Sequence, residues 1–273
     1  MDLEVLVATM RQSDFSLIEK MNLTKSAVIA NQCGRWEYVE KQTEFGKVRM
    51  ISSDTVGVGI NRNLALQNST ADYLLFADDD IRYYDGALDG VAKAFEQLPD
   101  ADMIVFSVDI VRNGEITEKR RDTVKRRHIW NSLRYGTYRI AVRREAVIKN
   151  RISFSTLFGG GAIYGSGEDT LFICDCFRAG LKIYSHPLVL GACTKDVSSW
   201  FKGYDEKFMF DKGALLACAF PHSKHIIKWY FVRKFTPKSD LPYKTVVKYI
   251  NEGIKSFPEL KSFDQGIRRN NDE

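Results

Sequence analysis

Apolar and polar residues alternate along the first two-thirds of the chain with two different periods. Short apolar runs at Glu4 to Ala8, Ser26 to Ala30, Val48 to Ile51, Tyr73 to Ala77, Met103 to Ile110 and Lys182 to Ser185 have the length of buried strands. Between them lie stretches that repeat every 3.6 residues. Ile60 to Gln67 is one, and Asp85 to Leu98 is another, with Leu88, Val91, Ala92, Phe95 and Leu98 on one face. Asp85 is a natural N-cap for the second, and Pro99 cannot continue it. Strand, crossover helix and strand in repetition predict an α/β fold, a mixed and mostly parallel sheet flanked by helices. Such sheets bind ligands beyond the carboxyl ends of their strands, so motifs at those ends matter most.

The alternation breaks twice. Arg112 to Arg134 holds eight basic and three acidic residues with little apolar periodicity, and reads as a long surface excursion. From about Asp211 the chain turns basic, aromatic and helical. A soft boundary near residue 205 therefore separates a main domain, 1–205, from a helical extension, 206–273. Charge agrees with that division. The formal net charge is +5, and residues 211–273 hold 12 Lys and Arg against 7 Asp and Glu, so the first 210 residues balance. No apolar run reaches the roughly 18 residues a spanning helix needs. MDLEVLVATM lacks a basic leader and reads as a first strand, which leads to the expectation of a cytoplasmic protein. Cys33, Cys174, Cys176, Cys193 and Cys218 show no paired CxxC spacing, so reduced side chains are expected rather than a disulfide framework or a zinc site. His128, His186, His222 and His225 have no partners at metal-ligand spacing and are read as structural.

Two segments carry candidate chemistry. The strand Tyr73-Leu-Leu-Phe-Ala runs directly into Asp78, Asp79 and Asp80. Three adjacent carboxylates repel one another unless a cation or a basic partner is near, and oxygen ligands suit Mg or Mn completed by phosphate and water. One helix earlier, Gly57-Val-Gly59 opens a helix that bears Asn61 and Arg62. Free N–H groups beside a guanidinium make a plausible diphosphate seat. The second segment is Phe158 to Thr170, with five glycines between 159 and 167 followed by Glu168 and Asp169. Leu171, Phe172, Cys176 and Phe177 then follow at helical spacing, and Gly180 is the expected stop. Glycines permit close backbone approach to a ligand, and a carboxylate at this helix start could act as a general base or merely cap the helix.

Taken in order, the N-terminal strand, the Asn63-Leu-Ala helix after a glycine turn, Phe-Ala-Asp78-Asp79-Asp80 and Gly167-Glu168-Asp169 resemble the inverting family 2 glycosyltransferases of GT-A fold, over roughly residues 1 to 200. The resemblance implies that the triplet is the DxD motif and Glu168-Asp169 the ED motif. Asp78 would contact the ribose region of a nucleotide-sugar donor, Asp80 would bind the metal, with Asp78 as a second ligand, and Asp79 would support either role. Asp169 would be the catalytic base, and Glu168 would orient the acceptor. Ala8, Thr9, Asn31 and Gln32 would line the base-binding side. It further implies a UDP-sugar donor, Mn or Mg, and a glycan or lipid-linked glycan acceptor of the kind used in bacterial polysaccharide synthesis. Ser199-Trp200 stands where processive members end a Q/R-rich motif, but the polar residues of that motif are missing, so processive polymerisation is not expected.

His225 to Phe235 mixes aromatics with cations, as segments on anionic membranes do, although its amphipathicity at about 100° per residue is poor and packing against the protein is the competing expectation. Peripheral contact with the inner face of a membrane would also suit Lys119 to Arg127. Nucleic-acid binding is not expected, because no recognised module's aromatic spacing is present. Two alternatives to a glycosyltransferase stand beside it: a sugar nucleotidyltransferase, whose glycine-rich basic N-terminal signature is missing, and a non-catalytic nucleotide-sugar or membrane-docking module.

Overall fold

The computed structural model describes residues 2–112, 114–117, 123–131, 133, 135–194 and 203–268. The elements in chain order are β1 (Leu3–Met10), α1 (Leu17–Lys20), β2 (Ala27–Gln32), β3 (Glu37–Thr43), β4 (Gly46–Ser53), α2 (Val58–Gln67), β5 (Tyr73–Asp78), β6 (Ile81–Tyr83), α3 (Ala87–Gln97), β7 (Met103–Arg112), β8 (Glu115–Ile116), β9 (Lys125–Arg126), β10 (Ile140–Arg143), α4 (Arg144–Lys149), α5 (Glu168–Arg178), β11 (Ile183–Thr194), α6 (Glu206–Ala219), α7 (Lys224–Phe235), α8 (Tyr243–Ser256) and α9 (Phe263–Arg268). They form two compact units. The first holds residues 1–154 and 172–196, and the second holds 155–171 and 197–273. The second unit thus takes in the glycine loop as well as the C-terminal helices, where the sequence alone suggested a single division near residue 205.

The first unit is one mixed sheet in the order β3-β4-β2-β1-β5-β10-β7-β11-β6, with β8 on β7 and β9 on β11. Strands β4, β2, β1 and β5 run parallel. Strand β10 is antiparallel to both neighbours. Alternate residues feed two cores, as the two-residue period of a strand requires. Val5, Val7, Ile29, Leu75 and Phe106 join the α1 and α3 side chains Leu17, Leu88, Val91 and Phe95 in one cluster. Leu6, Val28, Leu74, Phe76 and Val105 join Leu66, Val147 and Phe172 of α2, α4 and α5 in the other. Helices therefore cover both faces, which is the expected α/β arrangement. Buried Glu4 accepts the backbone N–H groups of Thr70 at 2.6 Å and Ala71 at 3.0 Å and pairs with Arg49, tying β1 to β4 and to the turn before β5.

One sequence expectation changes. Asp85 does not cap α3. Gly86 occupies the N-cap with φ 73°, and Asp85 instead accepts a hydrogen bond from the Asn22 amide at 2.9 Å. The basic excursion lies at the surface as expected and carries two short exposed strands, β8 paired with β7 and β9 paired with β11. At the end of α5, Gly180 has φ 78°, its N–H donates to Phe177 O at 3.0 Å, and Leu181 N–H donates to Cys176 O at 3.0 Å, the paired bonds of a glycine-stopped helix. The five cysteines are free thiols, and Cys174, Cys176 and Cys193 are buried.

The second unit is built from α6, α7, α8 and α9 with the loop 155–167. Helices α6 and α8 cross at two glycines. A Cβ on Gly213 would overlap the Ile250 carbonyl oxygen, and one on Gly253 would overlap the Phe210 carbonyl oxygen. Phe158 and Tyr164 of the loop pack on each other with ring centroids 4.7 Å apart and on Phe257 at 5.9 and 6.0 Å. The helical C-terminal region expected from the sequence is present. Among the described residues, no helix is long and apolar enough to cross a membrane.

Candidate functional site

In the first unit the chain order reverses around β1: β2 and β4 lie on one side and β5 on the other, which opens a crevice at their carboxyl ends. The pairing register brings the expected residues to that edge. Ala8 stands opposite Asp78 on one side and Ala30 on the other, Thr9 opposite Asn31, and Asn31 opposite Ser52. Tyr73 to Ala77 are buried, Asp78, the last residue of the strand, and Asp79, the first beyond it, are half-exposed, and Asp80 is exposed.

The three carboxylates have different surroundings. Asp78 Oδ1 accepts from the Arg62 guanidinium at 2.8 Å, and the Arg62 side chain is only 7% exposed. Arg62 also lies over the Phe154 ring, 5.6 Å from its centroid. That ring stacks on Phe172 at 4.3 Å, so the guanidinium is held from two sides. Asp79 accepts the Thr9 hydroxyl at 2.5 Å, and Thr9 in turn receives the Gln12 amide at 3.0 Å. Burial pushes the Tyr83 hydroxyl, on the strand just past the triplet, far above its ordinary range, with the Asp78 charge adding to the effect.

Asn31, Gln32 and Asn61 shape the floor. Buried Asn31 accepts from Gln12 N–H at 2.9 Å and donates to Gln12 O at 2.9 Å and to Ser52 Oγ at 3.0 Å, which fixes the turn after β1. The Gln32 amide donates to Gly57 O at 3.0 Å. Gly57 precedes α2 with φ 126°, a conformation side-chain-bearing residues avoid. The Asn61 amide donates to Thr9 O at 3.0 Å and Ala30 O at 2.9 Å, bracing the ends of β1 and β2. Asn63 makes a two-bond clamp on Phe154, accepting its N–H at 2.8 Å and donating to its carbonyl at 2.9 Å. Gln12 and Ser52 gave no motif signal, because each acts through a partner far away in sequence.

The second candidate segment lies in the other unit. Gly167 has φ 128°, and Glu168, the first residue of α5, accepts the Gly167 N–H at 3.1 Å. Glu168 is buried and Asp169 is half-exposed. Helix α6 reaches this loop with two adjacent charges. Asp211 Oδ2 accepts Gly165 N–H at 2.8 Å, and Lys212 Nζ donates to Ser166 Oγ at 3.0 Å while lying 4.9 Å from the Phe208 centroid. Burial lowers the affinity of Lys212 for its proton, against the attraction of Asp169, Glu168 and Asp211, with Lys234 adding to the lowering. Asp211 and Lys212 were not among the expected site residues. Ser199-Trp200 and residues 118–122 of the basic cluster fall outside the described residues.

Among the described residues, no group of three or more His, Cys, Asp or Glu could hold a metal ion. The donors at the β5 end are all oxygen, and Asp78 already faces a guanidinium. That set suits a hard cation bound through one or two carboxylates with the rest of its shell from phosphate and water.

No curated protein matches the chain. Solved structures do. Residues 1–349 of TarS from S. aureus in complex with UDP-GlcNAc share 16% identity and a TM-score of 0.59, covering 95% of this chain and 72% of that one. The same protein in complex with UDP gives 17% and 0.60, covering 95% and 86%. A further S. aureus TarS structure gives 16% and 0.57, covering 95% of this chain and 43% of that one. At such identities the likeness establishes the fold, which is that of the GT-A enzymes expected from the sequence. The model of glycosyl transferase family 2 matches residues 16–158, more than half of the 273-residue chain, with Asp78, Asp79 and Asp80 inside the match, and the chain belongs to that family of glycosyltransferases.

Proposed function

We propose that the enzyme transfers a sugar from a UDP-sugar, with Mg or Mn, to a hydroxyl of a glycan or lipid-linked glycan, inverting the anomeric centre. The observation that carries the reading is the placement of Asp78, Asp79 and Asp80 at the end of β5, level with Ala8 at the chain reversal. UDP is preferred as the nucleotide because the similar TarS structures hold UDP-GlcNAc and UDP. Family membership favours transfer to a hydroxyl over the nucleotidyltransferase alternative.

Each residue then has a part. Ala8, Thr9, Asn31 and Gln32 line the base side, the latter three on a network whose bonds are already made, so the pocket needs little reorganisation on binding. Asn61 acts through the carbonyls it braces. Arg62 holds the Asp78 carboxylate in place beside the donor ribose, and Asp79 is oriented by Thr9. Asp80, with Asp78, would hold the metal, which when bound would neutralise charge on the diphosphate. Asp169 takes the proton from the attacking hydroxyl as it approaches the face opposite the leaving group, and Glu168, fixed by Gly167 N–H, orients the acceptor. A single displacement of this kind needs one base and no covalent nucleophile.

The test pairs two variants. Asp80→Asn should abolish Mn-dependent UDP binding in calorimetry, whereas Asp169→Asn should bind UDP and Mn like wild type while turnover falls by about 100-fold or more, the contribution of a general base. Equal UDP affinity in wild type and Asp80→Asn would refute the metal assignment, and an active Asp169→Asn variant would refute the base.

A further inference from the structure

Helix α7 is apolar on two faces. Val232 and Phe235 are buried, with Phe235 against Phe208 at 5.0 Å and Phe231 at 5.7 Å, and the Lys228 ammonium reaches Asn251 Oδ1 at 3.0 Å. That face belongs to the unit's own packing. On the other side Ile226, Trp229, Tyr230 and Arg233 recur at i, i+3, i+4 and i+7, a single stripe. Ile226 is 78% exposed, Trp229 50% and Tyr230 62%, and Arg233 is exposed as well. The poor amphipathicity read from the sequence has its explanation here. The helix has a buried apolar stripe and an exposed one on different sides, with cations on both, so the vector sum nearly cancels although each stripe is well formed.

The charges around the outward stripe are of one sign. Residues 224–248 contain seven Lys and Arg and one acid, Asp240. Lys234 stands 5.7 Å from the Tyr230 centroid and Lys228 4.6 Å from that of Trp229, so cations rim the exposed rings. Exposed Lys238 and Lys244, with exposed Tyr243 at the start of α8, continue the same basic and aromatic character. Tryptophan and tyrosine with an aliphatic side chain between cations suit the boundary of a bilayer, where rings enter the acyl edge and cations meet anionic headgroups. An acidic protein surface would satisfy the cations but gain less from Ile226 and Trp229.

We propose that the outward stripe of α7, Ile226, Trp229, Tyr230 and Arg233, docks the enzyme peripherally on an anionic lipid bilayer. None of these four residues is assigned to donor binding or to proton transfer, and the proposal stands whether or not those roles hold.

Flotation of the full chain with vesicles tests it. Pure phosphatidylcholine vesicles should leave the protein at the bottom, and vesicles containing about one-third phosphatidylglycerol should carry it up, with release at high salt as the Debye length contracts. Ile226→Ser with Trp229→Ser should weaken vesicle binding at least tenfold, and Arg233→Glu should weaken it on anionic vesicles. The thermal midpoint of each variant should stay within about 2 °C of wild type, since these side chains face solvent. Equal flotation on both vesicle types, or unchanged binding in the double variant at an unchanged midpoint, would overturn the proposal. So would a concentration-dependent dimer in sedimentation that the same double variant dissolves, because the stripe would then be covered by a second copy.

Discussion

The Asp211 carboxylate is buried on α6 and holds the glycine loop through Gly165 N–H, while its other oxygen has no hydrogen-bond partner. Its salt bridge to Lys207 at 2.6 Å is made to a side chain 46% exposed, so that pair contributes little. Burial raises the Asp211 pKa, opposed by the Lys207 and Gly165 hydrogen bonds. A carboxyl whose folded value is raised stabilises most below its unfolded value of 3.8, and that contribution is lost as pH rises through the folded value. Asp211→Ala should therefore destabilise the protein by about 1–3 kcal/mol through the orphaned Gly165 N–H. The difference from wild type should widen as pH falls from 7.5 into the carboxylate range. Urea melts at several pH values read it directly, and a difference that narrowed on acidification would mean that the Lys207 ion pair, not the loop contact, is what Asp211 contributes.

At the scale of elements, α6 and α8 depend on the two glycines where they cross. Gly213→Ala adds a methyl against the Ile250 carbonyl, and no side-chain rotation can relieve a clash with backbone. Alanine is the better helix former by about 1 kcal/mol, yet overpacking should win and leave the variant about 2 kcal/mol less stable by urea denaturation. A more stable variant would mean the helices can separate without loss. This crossing was not legible in the sequence, because a glycine inside a helix looks the same whether it meets solvent or a neighbouring backbone. Helix α3 was legible, since Leu88, Val91 and Phe95 all point into one core. Strand β3 was not, because Glu37 to Gln42 are all exposed and no buried face imposes an alternation. Strand β10 was missed for another reason: four residues between a basic stretch and α4 are too short for a period to show. The carboxylates at the end of β5 were readable because an apolar run ending in three like charges is unusual in itself, whereas Gln12, Asp211 and Lys212 become meaningful only through partners distant in sequence, Asn31, Gly165 and Ser166.

For the molecule as a whole, ligand binding must appear as stability. A ligand that binds only the folded state at about 100 times its Kd adds about 2.7 kcal/mol. With an unfolding entropy near 2.1 cal/mol/K per residue, a chain of 273 residues should then melt about 5 °C higher. Screening UDP, GDP, CDP and TDP, each with and without Mn, should give such a rise for UDP with Mn and a much smaller one for UDP alone. The network at the carboxylate edge gives the reason. Thr9 bonds to Asp79, Asn31 to Ser52, Gln32 to Gly57 O and Asn61 to the Thr9 and Ala30 carbonyls, so the nucleoside meets a formed surface, but the exposed Asp80 and half-exposed Asp78 and Asp79 repel the diphosphate until a cation intervenes. Arg62 cannot take that part, because its guanidinium is already bound to Asp78 in a buried position. An equal rise for UDP with and without Mn would show that the diphosphate is neutralised by the protein's own cations, and the metal role assigned to Asp80 would have to be given up. A rise with another nucleotide alone would keep the metal chemistry and replace the donor.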